Sequence, residues 1–466
     1  MKTYLDFNSG VVDTASFMRV HGTFITSTSI CDTLGNLLFY TNGVNIFNAN
    51  DDTLLNSKGF NPGFASTINC EKLAYCQGAL VIPKPGNDSL YYLFHESGEE
   101  FIVYGQYHVQ PLELRYSIIN MNEDNGRGAM DLNNKTKPLI QDTLTKGFLT
   151  AVRHGNGRDW WLIAPRYFSN LYYKYLITND SISGSYSQNI GEPAFFDTGG
   201  GAVFSPDGSI YTQVMNDNKL NIFKFDRCTG MFYDSTYISF PNPNMDWELV
   251  ASGVAISPNN KFLYVLLMTK IFQFDLQATN IAATQTLVAE WDSSYNPYPT
   301  YFFTAQLAPD NKIYIGTWGG NYTLHYIDQP DVQGIGCNVV QNSFPLAWGN
   351  STVPIFPNYD LGAWVGSPCD TLGLAFPSPV GEGLGVRLSP NPASSMFNIR
   401  YDIPTNENLL FVLYDSYANE VLRRNLYGTF KNLLVHTEQL PNGIYFWRAT
   451  ASKNSIQANG KIIILQ

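Results

Sequence analysis

The residues best suited to acid–base or metal chemistry are scattered along this sequence. No two histidines have the HExxH spacing of a zinc site, and no GxSxG motif presents a nucleophilic serine. We therefore interpret the histidines as surface or structural residues: His21, His95, His108, His154, His325 and His436. The sequence assigns no catalytic residue, no metal and no cofactor, which favours a protein that is not an enzyme.

Three aspartates recur at the ends of similar segments and could in principle form a ring of carboxylates. Asp226, Asp275 and Asp328 each follow an alternating apolar run. A repeat places one residue type at many positions, whereas acid–base catalysis needs two different groups at one position. We predict that these carboxylates cap turns. The alternative is a glycoside hydrolase or lyase, in which carboxylates or a Tyr–His pair converge at the mouth of a central channel.

Aromatic residues are better candidates for contact with a ligand. They make up 14% of the chain, and exposed rings can stack on flat ligands such as sugars. The candidate ligand-binding residues lie in or beside predicted loops: Trp160, Trp161, Trp318 and Tyr322. The least repetitive segments, where loops that carry function are expected, are residues 120–146, 242–247 and 291–301.

Six cysteines could form disulfides in an oxidising compartment. None of them lies in a CxxC zinc pattern. Our preferred pairs are Cys70 with Cys76 and Cys337 with Cys369. Buried free thiols are the alternative, because a domain of this size does not need covalent cross-links.

The elements that must position these residues are short strands in a repeated pattern. Residues 199–226, GGGAVFSPDGSIYTQVMNDNKLNIFKFD, predict a strand, a tight turn at SPDG, a second strand, a polar turn and a third strand. Pro206, Pro258 and Pro309 lie in equivalent turns, 52 and 51 residues apart. A period of about 50 residues with three or four strands per unit is typical of a β-propeller.

The predicted fold is therefore all-β, with a β-propeller followed by a small β-sandwich. Six full units are visible, and LDFNSG near the start could share a sheet with TVPIFPNYDLGAWVGSPCDTLG to close a seventh blade; six or eight blades are the alternatives. We predict a propeller over residues 1–373, a Pro/Gly-rich linker over 374–385 and a sandwich of about seven strands over 386–466.

Charge and hydropathy exclude two classes of partner. The net charge is −11 and no basic run occurs, which excludes a nucleic-acid-binding surface. No apolar stretch reaches the ~20 residues of a membrane-spanning helix. The opening MKTYLDFNSG lacks the apolar core of a signal peptide, so either the protein is cytoplasmic or its true start is missing.

Several of the repeated segments resemble a known group of propellers. DTLGNLLFYTNGVNIFN, ALVIPKPGNDSLYYLF, AVRHGNGRDWWLI, FKFDRCTG and FPNYDLGAWVGSPCDTLG are similar to the WD-repeat-like propellers of secreted Bacteroidetes proteins. The resemblance covers residues 5–373 and implies the fold, while it implies little about activity. Members begin with a signal peptide, which favours a truncated start here.

The tail resembles the C-terminal sorting domain, type A, of the type IX secretion system. The matching motifs are RLSPNPASSMFNIRYD, LYDSYANEVLR, QLPNGIYFWRAT and the terminal GKIIILQ. The resemblance implies type IX secretion machinery as a partner, a secreted or outer-surface location, and these sorting-motif residues: Pro390, Asn391, Pro392, Gly443, Tyr445 and Lys461. The alternative is an accessory adhesive sandwich.

Seven Asp-Thr or Asp-Ser triplets resemble the O-glycosylation acceptor pattern of Bacteroidetes. The candidate acceptors are Thr14, Thr33, Thr53, Ser89, Thr143, Ser181 and Thr371. Such pairs are also common in turns. Together these features predict a secreted or cell-surface binding or adhesion module whose ligand is a surface glycan or a protein. The alternatives are the enzyme described above and a scaffold subunit of a surface assembly.

Overall fold

The structure, a computed structural model, divides the chain into two compact units, residues 1–370 and 371–466. It describes residues 2–8, 12–17, 25–68, 73, 75–103, 106–193, 200–240, 246–350, 352–370, 385–389, 393, 396–402, 408–427, 432–437, 439–451 and 457–465. The predicted linker therefore falls almost wholly outside the described residues.

Strands dominate both units, as the sequence predicts. One α-helix of five residues, Phe64–Ile68 (α1), occurs in the described part of the chain. Single 3-10 turns occupy Asp124–Gly126, Leu132–Asn134, Trp247–Leu249, Ile281–Thr284 and Gly334–Cys337. The all-β class is confirmed.

The first unit opens with a two-stranded ladder, Lys2–Asp6 (β1) and Asp13–Phe17 (β2), and continues with sheets that follow one another along the chain. Sheet 1 contains Thr28–Cys31 (β3), Leu37–Thr41 (β4) and Ile46–Asn48 (β5). Sheet 2 begins with Ala79–Pro83 (β6) and Leu90–Glu96 (β7). After an inserted hairpin of Glu99–Val103 (β8) and Gln106–Gln110 (β9), it adds Glu113–Asn120 (β10), Ala129–Met130 (β11) and Lys137–Gln141 (β12).

Sheets 3 to 6 each have four antiparallel strands in sequence order. Sheet 3 is Thr150–Arg153 (β13), Trp160–Pro165 (β14), Leu171–Ile177 (β15) and Ile182–Asn189 (β16). Sheet 4 is Gly200–Phe204 (β17), Ile210–Met215 (β18), Lys219–Asp226 (β19) and Met231–Ser239 (β20). Sheet 5 is Ala251–Ile256 (β21), Phe262–Leu267 (β22), Lys270–Asp275 (β23) and Thr286–Glu290 (β24). Sheet 6 is Phe302–Leu307 (β25), Ile313–Thr317 (β26), Asn321–Ile327 (β27) and Val339–Asn350 (β28).

The turns that join these strands form for local reasons. In sheet 4 the amide of Gly208 donates to the carbonyl of Ser205 at 2.8 Å, and Asp207 accepts from the hydroxyl of Ser209. Gly208 has φ +73°, and a Cβ there would lie 2.7 Å from Cγ2 of Val152. Only glycine fits this turn.

Sheets 2 to 5 each bury both faces against the neighbouring sheets. One apolar cluster joins sheets 1 and 2 around Phe39 and Leu93, and another joins sheets 2 and 3 around Phe94 and Trp160. Similar clusters join sheets 3 with 4, 4 with 5 and 5 with 6. Sheets stacked in sequence with buried faces on both sides make a β-propeller.

Closure of a seventh blade does not occur in the predicted way. Lys2 of β1 pairs with Phe17 of β2, and residues 352–370 contain no strand. The predicted sharing of one sheet by the two end segments is therefore wrong for the described residues, while the count of seven blades stays a prediction. The ladder instead packs on sheet 6, where Phe7 meets the ring of Tyr314 edge-on at 5.9 Å.

Residues 352–370, called the crossing segment below, run across one edge of the sheets. The amide of Val353 donates to Oγ1 of Thr304 in sheet 6, at 2.9 Å. The segment then reaches sheets 2, 3 and 4 in turn. Its hydrogen bonds to these sheets include those from the Tyr359 hydroxyl to the Val81 carbonyl, from the Arg153 guanidinium to the Tyr359 carbonyl, and from the Arg227 guanidinium to the Gly362 carbonyl.

A disulfide fixes the end of the crossing segment and corrects both preferred pairings. Cys369 bonds to Cys228 in the turn after β19, whereas Cys76 and Cys337 are buried free thiols. Cys337 lies in the core between sheets 5 and 6 and cannot approach Cys369, which lies against Gly155. Cys70, the predicted partner of Cys76, lies outside the described residues. Cys31 is an exposed free thiol.

The second unit is the predicted small sandwich. Gly385–Ser389 (β29), Met396–Asp402 (β30), Asn408–Tyr414 (β31), Glu420–Tyr427 (β32), Asn432–His436 (β33), Gly443–Ala451 (β34) and Gln457–Ile464 (β35) are its strands. They form the sheets β29-β30-β33 and β32-β31-β34-β35 around one core. In this core the ring of Phe411 stacks on Trp447 at 5.8 Å.

Candidate functional site

The candidate site is built where two loops of sheet 6 meet. Residues 291–301 connect β24 to β25, and residues 318–320 turn β26 into β27. Asn321, fully buried, holds the two loops together. Its side-chain oxygen accepts from the amide of Tyr298 at 2.8 Å, and its side-chain nitrogen donates to the carbonyls of Pro299 at 3.0 Å and Trp318 at 2.9 Å.

Three aromatic side chains of these loops and Tyr322, at the start of β27, are called the aromatic surface below. Tyr295 is 63% exposed, Tyr298 56%, Trp318 41% and Tyr322 41%. The amide of Tyr322 donates to the carbonyl of Asn296 at 2.8 Å, which places the two loops side by side. Large rings left this exposed on one part of a folded domain are typical of a contact surface.

The base of the aromatic surface is rigid because polar groups below it are paired. Nε1 of Trp291 donates to Oγ1 of Thr300 at 3.2 Å, and Nε2 of His325 lies 2.8 Å from the carbonyl oxygen of Thr300. Nδ1 of His325 accepts from the amide of Asn342, so Nε2 carries the proton and donates. Burial lowers the pKa of His325 to about 4, which keeps the ring neutral at neutral pH.

Next to the aromatic surface, the space at the centre of this edge of the sheets is filled by residues 75–78 of the chain itself. Oε1 of Gln77 accepts from the amide of Ala202 at 2.8 Å, and Nε2 donates to the carbonyl of the same residue at 2.8 Å. Cys76 packs against Met268 and Phe303. Segment 75–78 therefore touches sheets 4, 5 and 6.

Among the described acidic residues, Glu96 is buried and two of the three repeated aspartates cap turns. Glu96 is buried near the amide of Gly147, and this burial raises its pKa to about 8. No group of three or more His, Cys, Asp or Glu that could hold a metal occurs among the described residues. Asp226 accepts from the amides of Cys228 and Thr229, and Asp275 from Gln277, so these two cap turns as predicted.

The expected exposure of Trp160 and Trp161 is wrong. Trp160 is fully buried, with the Arg153 guanidinium 4.1 Å from its ring centre. Trp161 is buried too, and its Nε1 donates to the carbonyl of Arg227 at 2.9 Å. Both lie on β14, whose two faces are covered by sheets 2 and 4. The continuous apolar run WWLIAP is the signal of such a strand.

Sequence reasoning placed Trp318 and Tyr322 in or beside loops, and the structure has Trp318 in the β26–β27 turn and Tyr322 at the start of β27, both 41% exposed; their role in binding stays a prediction. It also marked residues 291–301 as non-repetitive without naming Tyr295 or Tyr298. The signal for these two is their position beside Pro297 and Pro299 in a segment with no strand pattern. Asn321 has no such signal, because two of its three partners, Tyr298 and Pro299, lie more than 20 residues away in the sequence.

Three of the sorting-motif residues, Gly443, Tyr445 and Lys461, lie in the last two strands of the sandwich. Gly443 pairs with Ile464, and Tyr445 is buried and donates its hydroxyl to the carbonyl of Pro441 at 2.7 Å. Lys461 is exposed on β35, opposite Phe446. The remaining motif residues, Pro390, Asn391 and Pro392, lie outside the described residues.

The candidate glycosylation acceptors differ in exposure. Thr14, Thr33, Thr53 and Ser181 are exposed, Ser89 and Thr143 are half-buried, and Thr371 lies outside the described residues. Their modification stays a prediction. No helix within the described ranges is long and apolar enough to cross a membrane.

Comparison with protein families identifies the tail. The model of the secretion system C-terminal sorting domain matches residues 387–465, nearly the whole sandwich. This tail matches the sorting domain of the type IX secretion system, which implies secretion or display on the outer surface. No curated protein matches the chain.

Solved structures similar to the chain are β-propellers of low sequence identity. A putative 6-phosphogluconolactonase from Bacteroides uniformis is 12% identical, with a TM-score of 0.36, over 76% of this chain and 85% of that one. PorZ, a surface component of the type IX secretion system of Porphyromonas gingivalis, is 9% identical, with a TM-score of 0.29, over 80% of this chain and 58% of its own. The β-propeller domain of Cps50 (Swd1) from Myceliophteria thermophila is 8% identical, with a TM-score of 0.33, over 83% of this chain and 96% of that one. These likenesses concern the fold alone.

Proposed function

We propose that this exported protein is a binding and adhesion module whose propeller holds a glycan on the aromatic surface. The observation that carries the proposal is the pinning of two loops by Asn321, which presents Tyr295, Tyr298, Trp318 and Tyr322 from one edge of sheet 6. Rigid exposed rings lose little conformational entropy when a ligand stacks on them. Sugar rings present apolar faces of matching shape.

The surrounding groups suit a neutral ligand. The two loops contain polar side chains that can form hydrogen bonds, among them Ser294 and Asn296. Asp292 is the one charged residue in these two loops. Polar groups placed between rings fix the orientation of a ligand, while the rings supply contact area.

A glycan array probed with the full-length chain tests the proposal. We expect defined glycans to be retained, and retention to fall to background for Trp318→Ala. An array without hits, together with binding of the same protein to host or bacterial surface proteins, would replace the glycan by a protein ligand. An array without hits and without protein binding would overturn the proposal.

A further inference from the structure

A cleft between sheets 2 and 3 is a second place with the character of a ligand site. Its volume is about 450 Å³, within the range of small-molecule sites. Lys84, in the turn between β6 and β7, and Asp180, in the turn between β15 and β16, lie on its rim. Because strand direction alternates, both turns lie at the edge opposite to the β26–β27 turn that carries the aromatic surface.

One wall of this cleft is aromatic. Tyr92 and Tyr116 meet edge to face with ring centres 5.9 Å apart. Tyr92 is held from behind by Phe94, stacked at 5.7 Å. Ile118 and Pro138 extend the wall. Packing fixes the side chains of such a wall before a ligand binds, so binding costs little side-chain conformational entropy.

The polar groups of the cleft have unused hydrogen-bonding capacity. The hydroxyls of Tyr92 and Tyr116, the ammonium of Lys84 and the carboxylate of Asp180 have no hydrogen bond or ion pair within the described ranges of the chain. The side-chain nitrogen of Asn134 donates to the Asp131 carboxylate at 2.7 Å, and its side-chain oxygen accepts no hydrogen bond from the described residues. Burial and the neighbouring Tyr116 raise the pKa of Tyr92, so its hydroxyl stays protonated and can both donate and accept.

This set of groups selects among ligand classes. A phosphate or nucleotide would need several cationic groups, and the cleft has one lysine beside an aspartate. A lipid chain would leave Lys84 and Asp180 without partners at an apolar contact. A sugar has an apolar ring face for the tyrosines, hydroxyl donors for Asp180 and hydroxyl acceptors for Lys84.

We propose that the cleft between sheets 2 and 3 is a carbohydrate site for a neutral mono- or disaccharide unit, separate from the aromatic surface. Tyr116 contributes ring contact and a hydroxyl, and Lys84 and Asp180 bind the sugar hydroxyls from the two turns. Two sites on opposite edges would allow one molecule to bridge two glycan chains, which raises avidity without further contacts.

Ligand-observed NMR with maltose, cellobiose, lactose and chitobiose, added separately to the full-length chain, tests the proposal. We expect at least one of these disaccharides to bind and its affinity to fall about tenfold for Lys84→Met and for Asp180→Asn, since each loses a charged hydrogen bond. Tyr116→Phe, which keeps the ring, should weaken binding by a smaller factor. Tyr233→Phe, an exposed tyrosine on β20, is the matched control and should change nothing.

The variants also separate this site from the aromatic surface. Binding that persists in Trp318→Ala and weakens in Lys84→Met supports the cleft whatever the aromatic surface does. Binding that is lost in Trp318→Ala and unchanged in all three cleft variants overturns the cleft proposal and leaves the proposed function in place. The absence of binding by all four disaccharides also overturns it. Thermal unfolding of each variant, expected to match the wild-type chain for the two turn substitutions, distinguishes lost binding from lost folding.

Discussion

The side-chain oxygen of Asn321 accepts a hydrogen bond from the backbone amide of Tyr298 at 2.8 Å, which joins two loops at residues 23 positions apart in the sequence. The same side chain donates to the carbonyls of Pro299 and Trp318. One buried amide therefore fixes the backbone on both sides of the aromatic surface.

Replacing Asn321 should loosen that surface. Asn321→Ala removes three partly buried hydrogen bonds, each of which contributes about 0.5–1.5 kcal/mol to stability. We expect a lower free energy of unfolding in urea and weaker ligand binding. Asn189→Ala, an exposed asparagine on β16, is the control and should leave both unchanged. A stable Asn321→Ala variant with full binding would show that the loops hold each other without this side chain.

The Cys228–Cys369 disulfide should contribute strongly to stability. It closes a sequence separation of 141 residues and fixes the crossing segment to sheet 4. We expect the Cys228→Ser, Cys369→Ser double variant to lose about 2–5 kcal/mol of unfolding free energy. Chemical denaturation with and without a reductant measures this, and the exposed thiol variant Cys31→Ser should behave as wild type. Equal stability of the double variant and the wild-type chain would contradict the structural role.

Acidification should destabilise the propeller through its buried histidines. Burial lowers the pKa of His325 to about 4 and that of His95 to about 3. Below the unfolded-state pKa near 6.5 the unfolded chain binds protons that the folded chain does not, so the free energy of unfolding falls as the pH falls. Each histidine contributes a slope of about 1.4 kcal/mol per pH unit between pH 6.5 and its folded pKa.

One buried group, Glu96, changes the free energy of unfolding with pH in the opposite direction to the histidines. Burial raises the pKa of Glu96 to about 8, so between its unfolded value and pH 8 the folded chain binds the extra proton and stability falls as the pH rises. We expect His325→Gln to flatten the acid limb and Glu96→Gln to flatten the limb between pH 6.5 and 8. Urea unfolding over this range measures both slopes. An acid limb of the same slope in His325→Gln would contradict a neutral buried His325.

Export should depend on the sandwich and not on the propeller. Deleting residues 386–466 removes the sorting domain, so we expect the shortened protein to stay inside the cell, and immunoblotting of medium, surface and cell fractions to show this. Protease resistance of the retained protein is the control for folding of the propeller. Unchanged export of the shortened protein would contradict the assignment of the tail.

Much of the fold follows from local sequence. Residues 205–208 specify their own turn, because proline and glycine supply its backbone angles, and the strands beside them alternate as strands do. The path of the crossing segment could not be predicted from local sequence. The hydrogen bond from Tyr359 to Val81 and the disulfide between Cys369 and Cys228 form only when the sheets have stacked. A strand-like composition in TVPIFPNYDLGAWVGS therefore predicts a blade edge that does not form.

The candidate site likewise has features that local sequence predicts and features that depend on long-range packing. Trp318 follows a strand and precedes two glycines, so its turn is visible in the sequence. Trp160 and Trp161 have the same side chain type, but the apolar run around them belongs to an inner strand that neighbouring sheets cover on both faces. Exposure depends on that long-range packing. The sequence also does not predict the role of Asn321, because that role depends on contact with a loop more than 20 residues earlier in the chain.

The most direct test of the central claim is the affinity of the full-length chain for the strongest glycan from the array, compared between two tryptophan variants. Trp318 on the aromatic surface is 41% exposed and Trp364 on the crossing segment is 46% exposed, so the substitutions to alanine remove similar exposed area. We predict that Trp318→Ala weakens binding at least about tenfold, as loss of a ring contact of 1–3 kcal/mol would, while Trp364→Ala binds as wild type. Equal affinity of the two variants and the wild-type chain would contradict a glycan-binding aromatic surface.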